Sequence, residues 1–161
     1  MRYMTTKRED FGLVSNDSKL YAIGGYNGQI TNSVEAYDIK TNTWKLVSSM
    51  NLLRYKFDAV LANNHIYVCG GYNGEILKSC EYYSDISNKW YFTKPMTIER
   101  DSLALVSHDG LIYAMGGYNE NGYLNSMEMF DTTTVHWTFK ANMTSTRGNF
   151  GSASFMGKIY I

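Results

Sequence analysis

The chain has 161 residues, room for one modest domain, and 44% of them are hydrophobic, enough to build a packed core. Lysine and arginine number 15 against 15 aspartates and glutamates, so no basic excess points to nucleic acid or an anionic membrane as partner. No apolar run is long enough to span a bilayer, and the opening Met1-Arg2-Tyr3-Met4-Thr5 lacks the apolar stretch of a signal peptide.

With 14 Tyr, 14 Gly and one proline, Pro95, the composition favours short strands and tight turns over helices. In chain order, an apolar run covers 11–14 and a turn follows at Asn16-Asp17-Ser18. A second apolar run covers 20–23 and stops at Gly24-Gly25. Residues 33–37 alternate as a half-polar strand, Lys40-Thr41-Asn42 turns the chain, and 43–47 form a fourth strand around Trp44.

The same succession then recurs. Gly24-Gly25, Gly70-Gly71 and Gly116-Gly117 lie 46 residues apart, and Tyr21, Tyr67, Tyr113 and Tyr160 follow at 46, 46 and 47. Met4, Met50, Met96 and Met143 keep the phase, as do Arg8, Arg54, Arg100 and Arg147. So do Glu35, Glu81 and Glu128, and Trp44, Trp90 and Trp137. One extra residue enters at Asn119-Glu120-Asn121-Gly122, which places the segment after each glycine pair in a loop, because a strand cannot absorb an insertion without losing register.

Four short strands per period predict one antiparallel sheet that needs a neighbour on each face. Radial stacking then makes it a propeller blade. The fold class is therefore all-β, a partial propeller of four-stranded blades. The repeats run over 5–50, 51–96 and 97–143, with the start of a fourth over 144–161. About 3.5 periods imply a fragment or truncated product whose open ends expose apolar blade faces, inviting aggregation or pairing with another copy. The glycine pair suits a sharp, crowded exit from the second strand. The repeated Tyr and Trp suit burial between blades, and the repeated Met suits core or loop packing. The repeated Glu, a carboxylate inside a strand, is expected to accept hydrogen bonds from loop backbone.

Gly25-Tyr26-Asn27-Gly28, Asn32-Ser33-Val34-Glu35-Ala36-Tyr37-Asp38, Trp44 and the spacing from Met50 to Arg54 resemble the kelch motif. More narrowly they resemble the kelch-like proteins, in which BTB and BACK domains precede a six-bladed propeller. That resemblance implies a substrate adaptor of a cullin-RING ubiquitin ligase, holding the cullin only through a BTB domain that these residues do not include. The alternative it implies is an actin-binding scaffold, and a kelch-type copper oxidase is a distant third.

Up-and-down strand order brings the loop after each glycine pair and the loop between blades to one side. In the resembled family these positions face the substrate peptide, which makes Tyr26, Tyr72 and Tyr118, Asn73, and Arg54, Arg100 and Arg147 candidates here. The residues after the Arg do not repeat, so Tyr55 and Asp101 are candidates for specificity. Tyrosine offers rigid area with a hydroxyl, and arginine grips carboxylates bidentately. A structural role for the repeated Arg, bonding carbonyls of a neighbouring loop, carries equal weight.

Little points to catalysis. His65, His108 and His136 fall at different phases, so no metal site is expected; neither is a cofactor. No nucleophile elbow or phosphate loop is present. Cys69 ends one strand and Cys80 opens the next, which can bring them near each other, but they are expected as buried thiols in a reducing cytoplasmic or cytoskeleton-associated setting. In that setting the glycosylation sequons at Asn16 and Asn142 carry no meaning. The expected partner is a protein or peptide, or actin, rather than nucleic acid or membrane.

Overall fold

Each period forms its strands where the apolar alternation directs. The computed structural model describes residues 3–161. Strands β1 (Gly12–Ser15), β2 (Lys19–Ile23), β3 (Val34–Asp38) and β4 (Thr43–Val47) make one antiparallel sheet in that order. Strands β5 (Asp58–Ala62), β6 (His65–Cys69), β7 (Cys80–Ser84) and β8 (Lys89–Thr93) make the second. The third contains β9 (Ala104–His108), β10 (Leu111–Met115), β13 (Met127–Asp131) and β14 (His136–Lys140). A small hairpin, β11 (Tyr118–Asn119) with β12 (Gly122–Tyr123), takes up the extra residue outside the main sheet. Strands β15 (Ala153–Phe155) and β16 (Lys158–Tyr160) begin a fourth sheet.

Strands β1, β5, β9 and β15 lie successively against one another, so the first strand of each sheet is innermost and the sheets fan out as unclosed propeller blades. Directly paired residues share a face, as Ile66, Tyr83 and Trp90 do, while their neighbours Tyr67, Tyr82 and Tyr91 face the other way. The first face packs on Val14, Tyr21, Ile23 and Val34 of the first blade. On the opposite side, Tyr67 and Cys69 pack on Leu105, Ile112, Phe130 and Trp137 of the third. Each core is thus shared by two blades, and no blade buries its apolar surface alone.

The repeated tryptophan pins adjacent blades. Trp90 is 7% exposed, lies 5.2 Å from the Tyr83 ring, and donates its indole N–H to the Ser48 carbonyl of the preceding repeat at 2.8 Å. Trp137 does the same to the Lys94 carbonyl at 2.9 Å. The glycine pair has two separate reasons. A Cβ on Gly24 would meet the Arg54 carbonyl and the Met50 methyl, each at 2.8 Å. Gly25 holds a φ of +97°, and its missing side chain lets the Glu9 carbonyl pass.

The cysteines differ from expectation. Register sets Cys69 directly opposite Cys80 across β6 and β7, with Cα atoms 4.2 Å apart, and the two are joined as a disulfide. Spacing of 11 residues conceals this pairing, because it becomes visible only once the hairpin register is fixed. Among the described residues no helix is long and apolar enough to cross a membrane.

Trp90→Ala should cost about 3–5 kcal/mol, the usual loss for a buried large aromatic, with the indole hydrogen bond to the neighbouring blade lost as well. Urea unfolding measures it; an unchanged midpoint would show that the inter-blade contact contributes nothing.

Candidate functional site

The strand ends that carry Gly24-Gly25 and its repeats all point to one end of the fan. Beyond β1 and β2 the hairpin continues through a backbone bridge between Glu9 and Tyr26. Tyr55 with Tyr72, and Asp101 with Tyr118, form the same bridge in the second and third blades. The first residue after each Arg is therefore locked beside the first residue after each glycine pair. Blades are tied crosswise by Gly25 N–H to Arg54 carbonyl at 2.9 Å, Gly71 to Arg100 at 2.8 Å and Gly117 to Arg147 at 2.7 Å.

These bridges gather the tyrosines. Tyr26 lies 5.8 Å from Tyr55 across the blade boundary, and Tyr55 lies 5.9 Å from Tyr72 within the second blade. Tyr118 lies 5.2 Å from Tyr123, which the β11–β12 hairpin presents. Tyr26, Tyr118 and Tyr123 are exposed, and Tyr55 and Tyr72 are half-buried. The Lys56 ammonium sits 5.4 Å from the Tyr55 ring centroid, within cation–π range. Asn73 is half-buried and turns its loop by donating its backbone N–H to the Glu75 carbonyl at 3.2 Å. Asp101 is half-buried beside Tyr118.

Two of the arginines lie elsewhere. Arg54 and Arg100 have no exposed surface. Arg54 donates to the Gly70 carbonyl at 2.8 Å, to the Ser79 carbonyl and hydroxyl at 3.1 and 3.2 Å, and to the Glu81 carboxylate at 2.8 Å. Arg100 repeats this with Gly116, Ser126 and Glu128, and Arg8 with Gly24, Ser33 and Glu35. Direct contact with a partner is thereby closed to Arg54 and Arg100, and the structural role is the one they fill. Their positions follow the repeat, but the repeat does not reveal that the guanidinium turns inward. Arg147 is half-buried, and among the described residues it has no carboxylate partner.

The repeated Glu completes the clip. Glu81 accepts the backbone N–H groups of Asn51 at 2.7 Å and Leu52 at 3.2 Å, and Glu128 accepts those of Thr97 and Ile98. Glu35 accepts from Thr5 and Thr6. Burial alone would raise the Glu35 carboxyl, but the bonds from Thr5, Arg8 and Thr6 outweigh it and hold the group down at about 2. Burial pulls the Arg54 and Arg100 guanidinium groups below their usual value, against the opposing pull of Glu81 and Glu128.

The second residue after each Arg forms an inner belt. Asp10, Lys56, Ser102 and Asn149 all take left-handed backbone, with φ of 49°, 54°, 52° and 55°. Lys56 donates its N–H to the Asp10 carbonyl, Ser102 to that of Lys56, and Asn149 to that of Ser102. The belt fixes the backbone and leaves four unlike side chains at the inner mouth. Just below it, Asp58 of β5 accepts the N–H of Leu105 from the next blade at 2.7 Å and that of Ala59 at 2.8 Å. Burial pushes its carboxyl up to about 6 in spite of these bonds.

The sequence reading missed Tyr123, Lys56 and Asp58. Each stands where the repeat is broken: Tyr123 replaces Ile30 and Ile76, and Asp58 replaces Gly12 and Ala104. His65 and His108 lie at the turn ends of β6 and β9, away from the tyrosines, and His136 begins the outer strand β14. No cluster of three or more His, Cys, Asp or Glu that could hold a metal occurs among the described residues.

A family model described as the KLHDC2/KLHL20/DRC7 Kelch-repeats domain matches residues 7–161. Kelch-like protein 7 of Rattus norvegicus and of Mus musculus is each 48% identical over 48 residues, 29% of this chain. The shared stretch spans 8% of the length of those relatives. A solved structure titled "Structure of YjhT" superposes with a TM-score of 0.77 at 18% identity, over 88% of this chain and 54% of that one; this likeness concerns the fold.

Two measurements test the electrostatics. Glu81→Gln strips the buried Arg54 of its counter-charge and should cost about 3–5 kcal/mol in urea unfolding; a loss near zero would mean the pair does not hold the loop. The melting temperature should also depend on pH with two opposite slopes. Asp58 lies above its ordinary 3.8, so its contribution is whole below 3.8 and is lost as pH rises through about 6. Glu35 lies below its ordinary 4.5, so its contribution is whole above 4.5 and is lost as pH falls toward about 2. Asp58→Asn should flatten the first slope and leave the second; a profile unchanged on the neutral side would remove Asp58 from this role.

Proposed function

Because this chain belongs to the kelch-repeat family, a family of protein–protein interaction modules, we propose that it serves in the substrate-recognition propeller of a cullin-RING ubiquitin ligase adaptor. In this reading it binds rather than catalyses, and a BTB–BACK segment of the same protein would hold the cullin. The bound segment lies across Tyr26, Tyr55 and Tyr72 and reaches Tyr118 and Tyr123.

The observation that carries the reading is the run of tyrosines that crosses from the first blade to the second, Tyr26 to Tyr55 to Tyr72. Nothing in the blade cores uses these rings, and the backbone beneath them is fixed by paired bridges. Rigid, amphipathic rings on a fixed backbone lose little entropy on binding, which suits a peptide-recognition face. The likeness to Kelch-like protein 7 over 48 residues agrees with the resemblance to kelch-like proteins from which the adaptor reading starts.

A photo-reactive residue in place of Asn73 should crosslink to a discrete partner in cell extract. The same residue in place of Asn64, at the opposite end of the blade, should not. Tyr72→Ala combined with Tyr118→Ala should abolish the adduct while leaving the melting temperature nearly unchanged. Equal adducts at both ends, or an adduct indifferent to the two tyrosines, would overturn the proposal.

A further inference from the structure

Three of the four repeated arginines bear on the chemistry of the partner by being withdrawn from the surface, and only Arg147 stays half-exposed. Were Arg8, Arg54 and Arg100 exposed on the tyrosine-bearing end, that end would attract carboxylates. Instead each is neutralised internally by Glu35, Glu81 or Glu128, with both side chains of every pair fully buried. The charges that remain on the loops are different ones. Between the second and third blades a cavity of about 690 Å³ is lined by Tyr72, Glu75, Ile76, Lys78, Glu99 and Glu120. Three carboxylates face one ammonium there, and Glu75 and Glu120 are exposed. Asp101 adds a fourth carboxylate at the Tyr118 bridge.

A second observation points the same way. One ring of the tyrosine run, that of Tyr55 beside Tyr72, already holds a cation, since the Lys56 ammonium lies 5.4 Å from its centroid. An aromatic ring attracts an ammonium or guanidinium through its negative face, and a neighbouring carboxylate reinforces the attraction. Glu99 accepts the Asn119 side-chain N–H at 3.3 Å, and with Glu75 and Glu120 it leaves the cleft with more carboxylates than the one ammonium of Lys78 offsets. Aromatic faces beside such carboxylates fit a chain segment carrying Lys or Arg, whose stems lie on the rings while their charges reach the glutamates.

Resting on the proposed function, we infer that the partner segment is basic and that it seats in the cleft between the second and third blades, with Glu75, Glu99 and Glu120 as its charge partners. The choice between a basic and an acidic partner turns on the burial of Arg8, Arg54 and Arg100, so it does not follow from their presence in the sequence.

The test uses the full chain and two labelled peptides of equal length, an oligolysine and an oligoglutamate, followed by fluorescence anisotropy. Oligolysine should bind saturably, and oligoglutamate should not. Glu75→Lys with Glu120→Lys should weaken the oligolysine by about tenfold or more. Asp17→Lys, at the other end of the first blade, should leave it unchanged. Equal weakening by Asp17→Lys would reveal unspecific attraction and overturn the inference. So would an unaffected double variant, or no binding by either peptide. Oligoglutamate binding that is lost with Tyr72→Ala and Tyr118→Ala would sink the basic partner while leaving the tyrosine face as the binding surface.

Discussion

The structure depends on a buried ion pair repeated once per blade. In the second blade it joins four separate pieces of backbone: the inter-blade loop at Asn51 and Leu52, the glycine-pair carbonyl at Gly70, Ser79 at the entry to β7, and β7 itself through Glu81. A buried charge pair is not stabilising merely by being paired, because desolvation offsets much of the attraction. Here the carboxylate also accepts loop amides, and the guanidinium also donates to the Gly70 and Ser79 carbonyls just beyond the ends of β6 and β7. The pair therefore satisfies the polar groups that a loop crossing between two blade cores cannot avoid burying. With the clip, the bridges and the inner belt all holding the loop through other groups, the side chains just after the arginine are free to differ from blade to blade.

That division of labour separates fold from recognition along the chain. The repeated residues go inward: the glycine pair against the next loop, the tryptophan between blades, the methionine against the glycine, the arginine against its glutamate. The unlike residues go outward, at the first and second positions after the arginine and in the loop after the glycine pair. A surface built this way takes its charge from residues outside the repeat. Glu75, Glu99 and Glu120 have no counterparts in the first blade, where Gln29, Lys7 and Asn27-Gly28 occupy the matching region.

The blades were legible because their evidence is periodic and redundant. Four strands per period, their order and the loop that takes the insertion all follow from spacing and alternation, and the strand ends differ from expectation by one residue. Orientation was less legible. The interval from Arg54 to Glu81 is visible in the sequence, but nothing in it states that these two side chains meet. The glutamate was expected to bond loop backbone, and it does; the arginine that shares the carboxylate was divided between inside and outside. Cys69 and Cys80 show the same gap, because a bond across two strands depends on register, and register is decided by the whole hairpin.

The third blade shows how one residue can alter the loop surface without touching the fold. The insertion converts the single bridge of the earlier loops into the paired hairpin β11–β12, and this hairpin lifts Tyr123 into the phase held by Ile30 and Ile76. The ring then needs space over the following loop, and Gly148 supplies it: a Cβ there would lie 2.8 Å from Tyr123. The corresponding positions in the other blades carry Tyr55 and Asp101, each with a side chain where Gly148 has none. Insertion, exposed tyrosine and missing side chain are thus one arrangement spread over residues 119–148 and closed by a contact. Because the blade core beneath is unchanged in its Arg100–Glu128 pair and its buried Trp137, such an arrangement can evolve at the loops while the propeller stays the same.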